Sequence, residues 1–164
     1  MRVLPEHPSV MIRLIFSSVL SYFAFTARLG FCALLLHAAV LDAKRRHVSA
    51  SLQKCCVLSA VAGSFDPDPG VFLIRTVGAA FFFLLLFSVY ILSRGKGLGG
   101  ADVKIVSLSV LVFGFFKTAG ALLWGCSLGL FFEIVRPRPP NTKSDGIPVI
   151  TFFVLGEILN HVFI

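Results

Sequence analysis

Asp42 and Asp102 are the residues whose type and setting could do chemistry in this sequence. Asp42 closes the apolar run 29–41 and is followed by Ala43 and the cations Lys44-Arg45-Arg46. Asp102 opens the apolar run 103–116, after the glycine-rich stretch Gly95-Lys96-Gly97-Leu98-Gly99-Gly100-Ala101. An ionisable side chain at membrane depth is costly and usually functional. Two carboxylates brought close together cannot easily both ionise, so such a pair shares a proton. The charged member can take a proton from water while the neutral member polarises a carbonyl. That is acid–base hydrolysis of a peptide bond. The glycines would let a substrate backbone come close to Asp102. Two plainer roles stand beside this one. Asp is a favoured helix N-cap, which suits Asp102, and Asp42 can be a boundary charge beside three cations.

The elements that carry these residues follow from composition. The chain has 164 residues, of which 57% are apolar and 14% charged. Soluble domains have roughly 45–50% and 25%. Mean hydropathy is +0.91. A globule this small buries too little of its surface to hide so much apolar area from water. The same numbers exclude disorder, so the chain is an integral membrane protein. A net charge of +7 would suggest nucleic acid in a soluble protein. Here the cations cluster between apolar runs, the pattern of cytoplasmic loops, and no nucleic-acid partner is expected. Cys32, Cys55, Cys56 and Cys126 lie in apolar runs without a CxxC. They read as small packing residues, so no metal and no cofactor is expected.

A crossing needs about 20 apolar residues. Candidates are 10–27, 29–41, 48–65, 71–93, 103–116, 118–135 and 147–164. The third is weak because it holds Gln53 and Lys54. The first two, separated by Arg28, are either two short helices or one long helix with Arg28 facing protein. The expected fold is therefore all-α: a polytopic membrane helical bundle of six core transmembrane helices, with or without an extra N-terminal one. Residues 1–28 form the N-terminal extension or extra helix, and 29–164 the core. Cations mark the 43–47, 94–102 and 136–146 loops as cytoplasmic, and the acidic loop around Asp66 and Asp68 as external. Two crossings separate Asp42 from Asp102, which puts both at the cytoplasmic edge. His37, five residues before Asp42, points elsewhere on a helix and reads as a packing residue. Glu157 lies mid-span and suits a helix–helix hydrogen bond. Pro148 suits the start of the last helix.

These residues resemble the type IV prepilin peptidases and archaeal preflagellin peptidases, the GxGD-type aspartyl membrane proteases. Asp42 with its trailing cations matches the first family motif, without the usual Pro-Asn. Gly99-Gly100-Ala101-Asp102-Val103-Lys104 matches the second, with Ala101 where a glycine is usual. The added methyl disfavours positive φ there. Ile147-Pro148, Phe152 and Leu155-Gly156 hold the spacing of the third.

The resemblance covers residues 29–164. It implies a membrane aspartyl endopeptidase that removes the short basic leader from prepilin-like or preflagellin-like precursors. Cleavage would occur at the cytoplasmic face of the inner (plasma) membrane. Asp42 and Asp102 would be the catalytic pair, with Gly99, Gly100 and Lys104 at the substrate. Lys104 would also suit an interfacial anchor. The partners would be prepilin-like precursors and the lipid bilayer, with no cofactor. The short form lacks the tetracysteine zinc domain associated with N-methylation, so the resemblance does not extend to that activity.

The main alternative is a non-enzymatic small membrane subunit of a secretion or transport assembly, which leaves the two aspartates unexplained. Lipoprotein signal peptidases also use two aspartates, but on the outer side. A rhomboid-type serine enzyme needs a Gly-x-Ser-Gly-like elbow, and none is present.

The topology can be tested by thiol labelling in a variant stripped of its own cysteines. Cysteines near Arg46, Gly97 and Asn141 should label from the cytoplasmic side, and those near Asp68 and Lys117 from outside. Cytoplasmic labelling near Asp68 would remove the weak crossing and put the two aspartates on opposite faces.

Overall fold

The computed structural model describes residues 8–45, 48–66, 68–94, 98–135 and 148–163. They form six helices: α1 (Pro8–Arg45), α2 (Ala50–Ser64), α3 (Pro69–Leu92), α4 (Gly100–Phe113), α5 (Phe115–Val135) and α6 (Val149–Phe163). Lipid offers no partner to a backbone amide, so a spanning chain bonds its own backbone as helix. By length and apolarity Leu14–Arg45, Pro69–Leu92 and Phe115–Val135 can each cross a bilayer. The other three helices are shorter, at 15, 14 and 15 residues. Large apolar side chains such as Ile74, Leu84, Leu123 and Ile134 stand on the outside. The chain is an all-α membrane helical bundle. The predicted 136–146 loop, Ile147, Arg46 and Lys96 lie outside the described residues.

Local chemistry sets the helix ends. Ser49 Oγ accepts the amide of Leu52 at 3.3 Å and starts α2. The weak apolar run is a helix because its polar groups are accommodated. Gln53 Nε2 donates to the Val48 carbonyl at 3.0 Å, and Lys54 is exposed. Asp68 Oδ1 accepts the Gly70 amide at 2.8 Å, with Pro69 in the first turn of α3. The sequence put the next break at Lys117; it falls at Gly114 instead. That residue has φ 91°, a left-handed conformation that favours glycine. It alone joins α4 to α5, and Lys117 sits in the first turn of α5.

Of the two readings of the N-terminal third, the long helix is the observed one. α1 runs unbroken for 38 residues, about 57 Å at the rise of an α-helix. Arg28 does not interrupt it because neighbouring elements supply acceptors. Its Nε donates to the Gly63 carbonyl at 2.8 Å. Its Nη2 lies 3.8 Å from Asp66 Oδ2, which is also 3.7 Å from Arg75 Nη1. One carboxylate thus holds cations from α1 and α3.

α4 sits at the centre, flanked by α2 and α3, while α6 bridges α5 and α1. Phe31, Ile105, Val106, Val110, Ile150 and Phe153 form the buried middle. Of the four cysteines only Cys56 is a buried packing residue; Cys55 and Cys126 are exposed and Cys32 is intermediate. Their apolar neighbours in sequence reflect a lipid-facing surface as much as a core. His37 is likewise exposed rather than packed.

α5 and α6 make the closest approach. Thr118, Ala121, Gly125 and Gly129 form a buried small-residue stripe on α5. A side chain at Gly125 would meet the Phe152 carbonyl at 2.7 Å. One at Gly156 would strike the Ala121 carbonyl and would meet the Gly125 amide nitrogen at 2.8 Å. This is the small-residue packing that lets membrane helices associate where apolar burial gives no drive. It also gives the glycine of the third sequence motif its role. Gly156→Val should therefore cost about 1–3 kcal/mol or more through overpacking, seen as an earlier thermal transition in detergent. Gly100→Val, where nothing lies within 4 Å, should change stability by less than half the Gly156→Val loss. Equal melting of the two variants would contradict the seam.

Candidate active site

The fold brings Asp42 and Asp102 to the same end of the bundle. Asp42 lies in the last turn of α1 and is 8% exposed. Asp102 lies in the first turn of α4 and is half-buried. The two are near enough for the charge of Asp42 to act on Asp102. The α2–α3 hairpin goes out and back between them, which is why a C-terminal and an N-terminal helix end meet.

Asp102 is held by its own backbone. Its Oδ2 accepts the amide of Gly99 at 2.8 Å, while the Val103 amide reaches the Gly99 carbonyl at 3.2 Å. Gly99 is the N-cap and Asp102 the third helical residue of a capping arrangement. The plain capping role and the chemical one thus coexist, because the cap engages Oδ2 and leaves Oδ1 out of it. A Cβ at Gly99 would sit 2.9 Å from Oδ2, so a larger residue there would push the Asp102 carboxylate aside. Gly100 has open space where its side chain would be, so backbone at this point is accessible. Ala101 is within the helix and among the residues with negative φ. Its methyl therefore costs no needed freedom, which removes the significance of that departure from the family motif.

The helix end that carries Asp42 is tied to α6 by a residue that sequence reasoning missed. Thr151 Oγ1, on α6, donates to the Ala39 carbonyl at 2.9 Å. This bond ties α1, one turn before Asp42, to the first turn of α6. A threonine on an apolar helix carries no local signal of such a role. Pro148 precedes α6, and its carbonyl accepts the Phe152 amide at 3.2 Å.

The remaining candidates lie elsewhere. Lys104 is exposed and lines a groove between α2 and α3. Glu157 is 6% exposed and lies within electrostatic reach of Lys117 and Cys32. Among the described residues it does not make the expected helix–helix hydrogen bond. Asn160 makes one in its place, donating from Nδ2 to the Lys117 carbonyl at 3.2 Å. Among the described residues no three metal-ligating side chains come together.

Two carboxylates within electrostatic reach at one end of an apolar helical bundle are the arrangement that a membrane hydrolase working by acid–base chemistry would need. The model of the type IV leader peptidase family matches residues 29–134. The chain belongs to that family, and the match spans both aspartates. No curated protein and no solved structure matches the chain.

Proximity is directly testable. In a variant lacking the native cysteines, Asp42→Cys with Asp102→Cys should cross-link with a short bifunctional thiol reagent. Adding Thr151→Val should lower the yield, and Thr151→Ser should restore it. Failure of the pair to cross-link, with each cysteine reactive alone, would contradict the placement.

Proposed function

We propose that the chain is an aspartyl endopeptidase that removes the short basic leader of prepilin-like precursors at the cytoplasmic face of the inner membrane. The observation that carries this reading is the placement of Asp42 of α1 and Asp102 of α4 at one end of the bundle, within electrostatic reach of each other. Membership of a leader-peptidase family supplies the reaction class. The positive loops supply the side of the membrane.

The pair works with one proton between its members. The ionised carboxylate takes a proton from the attacking water while the protonated one gives its proton to the scissile carbonyl. The first, now protonated, then donates to the leaving amine as the second takes back the hydroxyl proton and the carbonyl re-forms. Asp102, with Oδ2 bound to the Gly99 amide, is held in place through the reaction. The open backbone at Gly100 lies where the leader would pass in extended form. The cations near this rim include Lys44 and Arg45, which would repel a basic leader. The leader is therefore read through its backbone and its apolar segment, and the cations face anionic lipid.

Asp42→Asn and Asp102→Asn should each lower leader cleavage by about a hundredfold or more, at unchanged membrane levels, in an assay on a prepilin-like precursor. The wild-type rate should be bell-shaped in pH, falling in acid when both groups are protonated and in alkali when both are ionised. Full activity in either variant, or a pH profile without the alkaline fall, would overturn the proposal.

A further inference from the structure

α2 and α3 follow one another in the chain, yet both pack on α4 rather than on each other. The gap between them is a groove of about 220 Å³ whose floor is Lys104, Ser107, Leu108 and Leu111 of α4. Its walls are Val57 of α2 and Ala79 and Phe83 of α3. From Lys104 to Leu111 the floor runs about 10 Å along the helix. That is most of one leaflet, since the whole hydrocarbon core is about 30 Å thick.

The groove is chemically two-ended. Its deeper part is apolar, and the hydroxyl of Ser107 is already donated to the Val103 carbonyl at 2.7 Å. At its mouth, on the carboxylate end of the bundle, stands Lys104. Lys54 lies one turn before Val57 on the same face of α2. Both lysines are exposed, and neither enters an ion pair among the described residues. Along α3, Phe83 stacks on Phe87 and Phe87 on Tyr90, with ring centroids 5.6 and 6.1 Å apart. This ladder extends the wall to a tyrosine at the level where aromatic residues meet headgroups.

We infer that this groove is a binding site for one anionic phospholipid of the adjacent leaflet, with an acyl chain against Leu108 and Leu111 and the phosphate between Lys54 and Lys104. The dimensions select this occupant. A helix about 10–12 Å across needs several times the volume over the same length. An extended peptide would bring backbone amides and carbonyls that the apolar lining leaves without partners. A hydrocarbon chain has neither problem, and Lys104 at the mouth, with Lys54 one turn from Val57 on the adjoining helix, matches an anionic headgroup. The site lies on the face of α4 away from Asp102, two residues along the helix, and does not depend on the catalytic reading.

The test is native mass spectrometry of the full chain in detergent, after addition of phosphatidylglycerol or phosphatidylcholine with identical acyl chains. Wild type should retain one phosphatidylglycerol about tenfold more than phosphatidylcholine. Lys54→Gln with Lys104→Gln should bring the two lipids level. Leu108→Trp, and separately Leu111→Trp, should lower retention of both, with helicity and melting used to verify folding. Equal retention of the two lipids by wild type, or an unchanged preference in the double lysine variant, would overturn the proposal. So would displacement by glycerol phosphate alone, or by a prepilin-like apolar peptide, since the groove would then belong to a free phosphate or to the substrate.

Discussion

The backbone-to-backbone seam between α5 and α6 is the contact on which the placement of both carboxylates depends. In lipid no apolar surface is removed from water when two helices meet, so close approach and a few polar bonds must hold them. Gly125 and Gly156 permit that approach, and Asn160 fastens its far end. Each aspartate is then one link away. Asp102 arrives through α4, joined to α5 by the single residue Gly114. Asp42 arrives through α1, joined to α6 by the Thr151 hydroxyl.

Charge is divided between the two ends of the molecule. At one end, Asp66 gathers Arg28 and Arg75. Each cation is partly shielded from solvent, and the shared anion ties the start of α3 to the middle of α1. At the other end, two carboxylates stand within electrostatic reach of each other. One end neutralises its charges; the other concentrates them. That contrast, more than the presence of any one residue, is what directs the functional proposal to the second end.

Hydropathy and loop charge made much of this legible in the sequence. The weak run with Gln53 and Lys54 is a helix, and the parity of crossings it implies does bring Asp42 and Asp102 to one end. What local pattern could not supply was partnership. Arg28 looks like an interruption until the Gly63 carbonyl and Asp66, distant in sequence, are seen beside it. Thr151 looks like one more residue of an apolar helix until Ala39 is placed opposite. Lys117 drew the break to itself because charge is conspicuous, although the conformation needed at the turn is available only to Gly114. Buried and lipid-facing cysteines share the same apolar sequence context, which is why Cys55 and Cys126 were misread while Cys56 was not.

The length of α1 has a mechanical meaning. The stretch that bears Asp42 is held at two points, by Gly63 and Asp66 near Arg28 and by Thr151 near Ala39. Before Arg28 the same helix continues with Ile12, Phe16 and Tyr22 fully displayed, and the family match begins just after it, at residue 29. The first half thus adds displayed apolar surface outside the family-matched stretch, while the part that leads to Asp42 is pinned to α2 and α6.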